Sequence, residues 1–249
     1  MNRCVLIILI LIMQNMIAQA QSQLENSVFA VVKISYNQPG ETPVTGGICG
    51  TAFLINDSTA MTSNHVLNCD NFKPNPGFKF AQYWLIKRAS QIVIPLNKDY
   101  FESFEDIETT LISLPEKLES NFNLIKQSIN LNDSVFNFGH ISNMPITKAH
   151  WENNYLVIDE YNLTKSKSDR SGIIKEIKKV SINAPDVKLN DMTIIQPSFK
   201  ANIGMSGGPL IRGDDLIGLM SFGLPPDSTI KDVVYAISIN EIVDKLNNK

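Results

Sequence analysis

The sequence predicts an all-β protein, built as a barrel or a sandwich. Short apolar or alternating segments recur along the chain between turn residues, and long helical patterns are scarce. The chain has 249 residues, of which 43% are hydrophobic and 19% charged, as is typical of a folded globular protein. These observations favour many short strands packed around a sizeable core.

The first 20 residues are predicted to be a secretory signal peptide. Arg3 precedes the apolar run 5–13, and an A-x-A pattern of small residues follows at 18–20. The apolar run is far shorter than the roughly 20 residues that a membrane-spanning helix needs. We therefore expect cleavage after residue 20, no stable membrane anchor afterwards, a secreted or periplasmic location and a mature chain of residues 21–249.

The predicted strands follow from alternating or continuous apolar runs bounded by turn residues. They are 28–34, 50–55, 60–62, 83–86, 92–96, 111–114, 135–138, 156–158, 192–195, 210–211, 216–221 and 233–237. The charge-rich stretch 165–179 is predicted to be a solvated loop or hairpin. Near the end, Ile242, Val243 and Leu246 fall on one side of a helix predicted over about 239–247.

Charge and composition exclude several functions. The formal net charge of −3 becomes −4 when the leader, with Arg3, is removed, and no dense basic cluster is present, so we expect no nucleic-acid partner. Neither metal-ligand spacing nor a phosphate-binding glycine loop occurs, so we expect no metal and no cofactor. Outside the leader, Cys49 and Cys69 are the remaining cysteines, and in an exported protein they predict one disulfide; two separate buried thiols are the alternative.

The stretch NIGMSGGPL, residues 202–210, places Ser206 among glycines. A serine needs a positioned base to act as a nucleophile, and that base is usually histidine. The G-x-S-x-G spelling also occurs in α/β-hydrolases, but there the histidine follows the serine, whereas His65, His140 and His150 all precede Ser206. His65 directly follows a strand-like segment, while the other two are predicted to be surface or loop histidines.

Five segments carry a family resemblance. CGTAFLI (49–55), MTSNHVL (61–67), NIGMSGGPL (202–210), LIGLMSFG (216–223) and VVYAISIN (233–240) resemble, in the same order, the signature blocks of trypsin/chymotrypsin-fold serine proteases. The bacterial high-temperature-requirement branch is especially similar, because an Ile-Gln pair precedes its serine block, as at 195–196. The resemblance implies two packed six-stranded antiparallel β-barrels, over about 25–130 and 131–238, followed by the short C-terminal helix.

The resemblance also implies roles for individual residues. Ser206 would attack the scissile carbonyl of a protein or peptide substrate, with His65 as general base. The backbone amides of Gly204 and Ser206 would form the oxyanion hole. The backbone of Ser221, Phe222 and Gly223 would pair with an extended substrate. The two cysteines, Cys49 and Cys69, resemble the disulfide beside the histidine in many secreted relatives, although there the second cysteine usually follows the histidine directly.

The acid of the triad has two candidates. In the family, the acid precedes apolar residues at three, four and six positions further on, and only Glu108 has this register. The family overwhelmingly uses aspartate, which favours Asp106. In a strand the two side chains would project from one face, so one of them would orient His65. A catalytically inactive trypsin-fold protein that binds proteins or peptides is the alternative function.

Two further positions depart from or extend the family pattern. Many relatives have Asp or Asn at position 205, and in zymogen-activated relatives that aspartate pairs with a newly freed amino terminus. Met205 cannot form that ion pair. Lys200, six positions before Ser206, falls where some relatives place the base of the specificity pocket; a solvated lysine is the alternative.

Overall fold

The computed structural model describes residues 23–38, 45–68, 73–88, 92–141, 145–146, 149–152, 155–158, 166–183, 188–223 and 233–248. The predicted leader and Cys69 lie outside the described residues. Export and the disulfide with Cys49 therefore stay predictions.

Strands dominate the described part of the chain. They are β1 (Val28–Tyr36), β2 (Thr45–Asn56), β3 (Thr59–Ser63), β4 (Phe80–Lys87), β5 (Val93–Leu96), β6 (Phe101–Phe104), β7 (Thr109–Ser113), β8 (Ser134–Asn137), β9 (Pro145–Ile146), β10 (Ala149–Glu152), β11 (Tyr155–Ile158), β12 (Arg170–Asn183), β13 (Lys188–Pro197), β14 (Pro209–Arg212), β15 (Asp215–Gly223) and β16 (Val234–Ser238). Helix α1 spans Asn64–Asn68, helix α2 spans Ile239–Asn247, and a 3-10 turn spans Lys98–Tyr100.

The N-terminal sheet is antiparallel, with the order β5-β4-β1-β2-β3-β7-β6. β1 lies inside the sheet, between β4 and β2, and both of its faces are apolar. Phe29 and Val31 pack into one cluster, while Ala30 and Val32 pack into another on the opposite face. A strand that is buried on both faces has a nearly continuous apolar sequence, which is why a strand over 28–34 could be predicted.

The C-terminal sheet closes into a barrel in the order β12-β13-β16-β15-β14-β8. Helix α2 follows β16 directly, with the Ser238 hydroxyl accepting from the Asn240 amide as its N-cap. Ile239, Ile242 and Val243 are buried on one face of the helix. The predicted all-β, two-sheet architecture with a short C-terminal helix is confirmed; among the described residues the N-terminal sheet path holds seven strands rather than six.

Of the two predictions for 165–179, the solvated loop is wrong, and the hairpin is correct in part, because the stretch pairs antiparallel with the next strand, β13. Most of that stretch belongs to β12, a 14-residue strand whose burial largely alternates along its length. Its neighbours β8 and β13 supply hydrogen-bonding partners on both sides. An antiparallel strand of this kind can expose one face to water, so charged residues on that face do not prevent the strand from forming.

The chain between β8 and β12 reaches across to the N-terminal sheet. β9 pairs with β2, Gly46 lying opposite Ile146. On β10, the Trp151 ring makes edge contacts with the rings of Trp84 and Tyr36, at centroid distances of 5.9 and 5.8 Å. Backbone pairing and aromatic packing thus hold β9 and β10 against the N-terminal sheet.

His140 lies in the connection between β8 and β9, so of the predicted surface or loop settings the loop is correct and the surface is wrong. Its side chain is fully buried, and its Nδ1 atom lies 2.8 Å from the Ser166 hydroxyl. Its Nε2 atom has no partner among the described residues. Burial, together with the positive charges of Arg88 and Lys167, lowers the pKa of His140 well below its usual value.

We predict that the folded protein loses stability as the pH falls below about 6.5, the usual pKa of an exposed histidine. The unfolded chain then takes up a proton that the folded His140 site excludes. For one such site, the free energy of unfolding falls by at most about 1.4 kcal/mol for each pH unit. Denaturant unfolding between pH 7.5 and 5 should show a shallower loss for His140→Gln than for wild type. His150→Gln, which alters an exposed histidine on β10, should keep the wild-type slope. Equal slopes for wild type and His140→Gln would contradict the prediction.

Candidate active site

His65 lies where β3 meets α1. β3 pairs with β2 on one side and β7 on the other, and Ala60 and Met61 on it are fully buried. Asn64 begins α1 and His65 follows it in the same turn. The ring of His65 is therefore 29% exposed while its backbone is anchored at the end of a buried strand.

Glu108 is the carboxylate that contacts His65. Its Oε1 atom accepts from His65 Nδ1 at 2.7 Å and from the His65 backbone amide at 3.0 Å. The Glu108 side chain is only 4% exposed. A buried carboxylate needs such donors, because burying an unpaired charge is costly. The same two bonds thus satisfy the carboxylate and hold the imidazole.

The turn before β7 brings Glu108 to His65. Glu108 has a φ of +51°, in the left-handed region that residues other than glycine seldom adopt, at a cost of about 1–3 kcal/mol. The Asn64 backbone amide donates to the Glu108 carbonyl at 3.2 Å, and the Asn64 side-chain amide donates to the Phe104 carbonyl at 3.1 Å. Asn64 therefore holds both ends of the turn. Sequence reasoning missed this residue, although a polar side chain directly before the histidine was a signal.

Asp106 lies away from His65. Its side chain is 53% exposed and forms an ion pair with Lys245 of α2. The expectation that Asp106 and Glu108 share one face of a strand is wrong, because residues 105–108 form a turn and β7 begins only at Thr109. Of the two candidate acids, the structure places Glu108 against the histidine.

The hydrogen bonds assign the tautomer of His65. A carboxylate can only accept, so Nδ1 must carry the proton that lies between it and Glu108. In the neutral ring, Nε2 is then the atom with the free lone pair. His65 is consequently arranged to accept a proton at Nε2, and Glu108 to stabilise the positive charge that this creates.

Ser206 lies in the loop between β13 and β14. Its hydroxyl donates to the Ser221 carbonyl of β15 at 2.9 Å, and its own carbonyl accepts from the Thr51 amide of β2 at 2.9 Å. The residue is half-buried. The serine thus touches both sheets, through Ser221 on one side and Thr51 on the other.

The loop before Ser206 carries the two backbone amides that were predicted to bind an anion, those of Gly204 and Ser206. Gly204 has a φ of +103°, and its carbonyl accepts from the Thr51 hydroxyl at 2.9 Å. Within the described residues, the amides of Gly204 and Ser206 donate to no other backbone carbonyl. Met205, between them, is 1% exposed and forms part of the core of the C-terminal barrel. Both amides therefore stay available to a ligand.

The loop that carries Ser206 contacts β2 and β3, the strands next to His65, at Gly207. A Cβ atom added there would lie 2.0 Å from the Thr51 carbonyl and 2.2 Å from the Thr62 hydroxyl. Nearby, the Ser63 hydroxyl, two residues before His65, donates to the Met220 carbonyl at 3.0 Å, and the Gly207 amide donates to the same carbonyl at 2.7 Å. The close approach brings the end of β3 directly against β15.

The other predicted site residues occupy several settings. Ser221, Phe222 and Gly223 end β15, where Phe222 and Gly223 pair with β16. Lys200 is exposed, which fits the solvated alternative, and its carbonyl accepts from Arg170. Cys49 is half-buried on β2.

Among the described residues no cluster of potential metal ligands occurs, and no helix has the length and hydropathy that crossing a bilayer requires.

Comparison with known proteins matches residues 17–246 to the family described as Trypsin. The solved structure of Rv3671c protease from M. tuberculosis in its active form is similar over 92% of this chain and 82% of its own, at 16% identity and a TM-score of 0.54. The MamO protease domain from Magnetospirillum magneticum is similar over 90% and 97%, at 13% identity and 0.57. A search of curated proteins found no match.

The HtrA-type protease AlgW with a decapeptide is also similar, at 14% identity and a TM-score of 0.61. The match covers 93% of this chain and 67% of AlgW, and 62% of AlgW in its tripeptide complex. At these identities, the likeness to solved structures shows the fold.

We predict that Gly207→Ala destabilises the protein far more than Gly77→Ala. Both glycines have positive φ, +81° and +89°, but an added Cβ meets nothing within 4 Å at Gly77. Gly77→Ala should therefore lower the free energy of unfolding only by the cost of a left-handed backbone, about 1–2 kcal/mol. Gly207→Ala adds a clash with backbone, which should cost about 1–3 kcal/mol more. Urea unfolding measures the difference, and equal losses in the two variants would contradict the close approach described at Gly207.

Proposed function

The chain belongs to the trypsin family of proteases, and from that premise we propose that it is an exported serine endopeptidase that cleaves peptide bonds through an acyl-enzyme on Ser206. The observation that carries the proposal is the pairing of His65 with the buried Glu108 carboxylate at 2.7 Å. A buried carboxylate at Nδ1 orients a histidine ring and stabilises the imidazolium that forms when the histidine acts as a general base.

The proposed reaction begins at the Ser206 hydroxyl. Rotation about the Cα–Cβ bond would move the hydroxyl from the Ser221 carbonyl to Nε2 of His65. The oxygen then attacks the scissile carbonyl carbon as His65 takes the proton, and Glu108 stabilises the resulting imidazolium. Replacement of this carboxylate in related triads lowers kcat by a factor on the order of 10⁴.

The developing negative charge would be bound by the amides of Gly204 and Ser206. The Gly204 carbonyl is held by the Thr51 hydroxyl, so the loop is ordered before substrate arrives. Donors fixed in advance stabilise the transition state without reorganisation, and each is worth about 3 kcal/mol. His65 then passes its proton to the leaving amine, and water hydrolyses the acyl-enzyme by the same route.

The proposed substrate is an extended segment of a protein or peptide. Strand addition along the backbone of Ser221 to Gly223 would align the scissile bond with Ser206, and it suits unfolded chains or exposed loops. The similarity to AlgW with a bound decapeptide supports peptide substrates. We propose no cofactor, metal or nucleic-acid partner.

Export also belongs to the proposal. The leader at 1–20 would direct the mature domain, residues 21–249, to the periplasm or the medium. There the environment would allow a disulfide between Cys49 and Cys69. The two barrels would span about 25–130 and 131–238.

A second candidate is an inactive protein that binds peptides with the same fold. The observation that favours it is the Ser206 hydroxyl, which donates to the Ser221 carbonyl at 2.9 Å instead of facing the base. Binding by strand addition would not require that hydroxyl. The two candidates therefore differ in whether Ser206 reacts.

We expect a fluorophosphonate probe, which reacts with activated serines, to label the wild-type protein at Ser206. Ser206→Ala should not be labelled, while Ser58→Ala, which removes an exposed hydroxyl in the turn after β2, should be labelled at the wild-type rate. Mass spectrometry of the labelled peptide identifies the site. A folded wild-type protein that stays unlabelled from pH 6 to 9 would favour the peptide-binding protein.

A further inference from the structure

Arg88 is a buried cation that the proposed reaction does not use. It follows β4, and its side chain is 1% exposed. Its Nε atom donates to Glu25 Oε1 at 2.9 Å, and Nη2 donates to Asp169 Oδ1 at 2.5 Å. The guanidinium also lies over the Phe138 ring, 5.4 Å from its centroid. Arg88 thus joins the N-terminal segment and the N-terminal sheet to the C-terminal barrel.

The third guanidinium nitrogen of Arg88 reaches the backbone behind the serine loop. Nη1 donates to the Gly139 carbonyl at 2.6 Å, and the Ser168 amide donates to the same carbonyl at 2.8 Å. Gly139 lies directly against Met205, because an added Cβ would be 2.8 Å from Met205 Cγ. Arg88 therefore holds the surface on which Met205, the neighbour of Ser206, rests.

Two further contacts extend this support into the loop. The Ser168 hydroxyl lies 3.8 Å from Met205 Sδ and accepts from the Asn202 side-chain amide at 3.0 Å. On the other side, the Thr51 hydroxyl accepts from the His140 amide and donates to the Gly204 carbonyl. The segment 139–140 consequently contacts Met205 directly, and it reaches Gly204 through the Thr51 hydroxyl.

Glu25 anchors Arg88 from the N-terminal segment. Its carboxylate also accepts from Lys167 Nζ at 2.7 Å. Burial by itself would raise the pKa of Glu25, but hydrogen bonds from Lys167 and Arg88 outweigh it and the pKa is lowered. Glu25 is therefore charged at neutral pH, and with Asp169 it balances the two cations.

We propose that Arg88, anchored by Glu25, is a positioning residue for the loop 202–206 and so for the oxyanion hole. This inference rests on the proposed function for its effect on turnover. A side chain from the N-terminal segment would thus act on the loop without reaching it, through Arg88, Gly139 and the apolar Met205. An ion pair at position 205 is not needed in this arrangement.

Arg212 offers a matched control within the same chain. It also binds two carboxylates and one carbonyl, those of Asp133, Asp215 and Ser128. Its side chain is 23% exposed, at the hairpin between β14 and β15. Loss of Arg212 therefore removes the same kinds of bond without touching the segment behind Met205.

The test compares Arg88→Met, Glu25→Gln and Arg212→Met with wild type. Turnover of a peptide substrate should show kcat at least tenfold lower in Arg88→Met and about threefold lower in Glu25→Gln, with KM within threefold of wild type in both. The loss falls on kcat because the oxyanion forms only in the transition state. Arg212→Met should keep the wild-type kcat.

Hydrogen exchange of the backbone amides supplies a readout that does not depend on activity. Exchange over 202–206 should be faster in Arg88→Met and Glu25→Gln than in wild type, and unchanged in Arg212→Met. If Arg88→Met does not fold, Glu25→Gln decides. Wild-type exchange and kcat in a folded variant would overturn the inference, whereas an unreactive wild type with the expected exchange pattern would overturn only the proposed function.

Discussion

The candidate site depends on one carboxylate oxygen, Oε1 of Glu108, which accepts from both the side chain and the backbone of His65. The pairing requires the left-handed turn at Glu108. Asn64, which directly precedes the histidine, holds that turn. The histidine and its acid therefore fix each other's backbone as well as each other's side chain.

The serine side is held by close backbone contact rather than by charge. Gly207 leaves no room for a side chain between the sheets, and Thr51 binds the carbonyls of both Gly204 and Ser206. Beneath the loop, the apolar Met205 packs on Gly139. The charged Arg88 lies on the other side of Gly139 and binds its carbonyl. Apolar packing at position 205 is thus combined with an ionic network that acts through the backbone.

Local patterns predicted much of this molecule. The strand runs, the C-terminal helix and the order of histidine before serine are short-range features of the chain, and the register of apolar residues after Glu108 favoured it over Asp106. Three features were missed because they depend on tertiary contacts. β12 is polar, and it is a strand only because β8 and β13 flank it; His140 and Arg88 are polar residues whose burial is decided by segments far away in the chain.

The most direct test of the central claim, that Glu108 is the acid that orients His65, is the rate of casein cleavage by Glu108→Ala and Asp106→Ala, with thermal unfolding as a check on folding. We expect Glu108→Ala to lose activity by a factor on the order of 10⁴. Asp106→Ala should stay within about twofold of wild type, because it loses only an exposed ion pair worth less than about 1 kcal/mol. Full activity in a folded Glu108→Ala variant, or the larger loss in Asp106→Ala, would contradict the account.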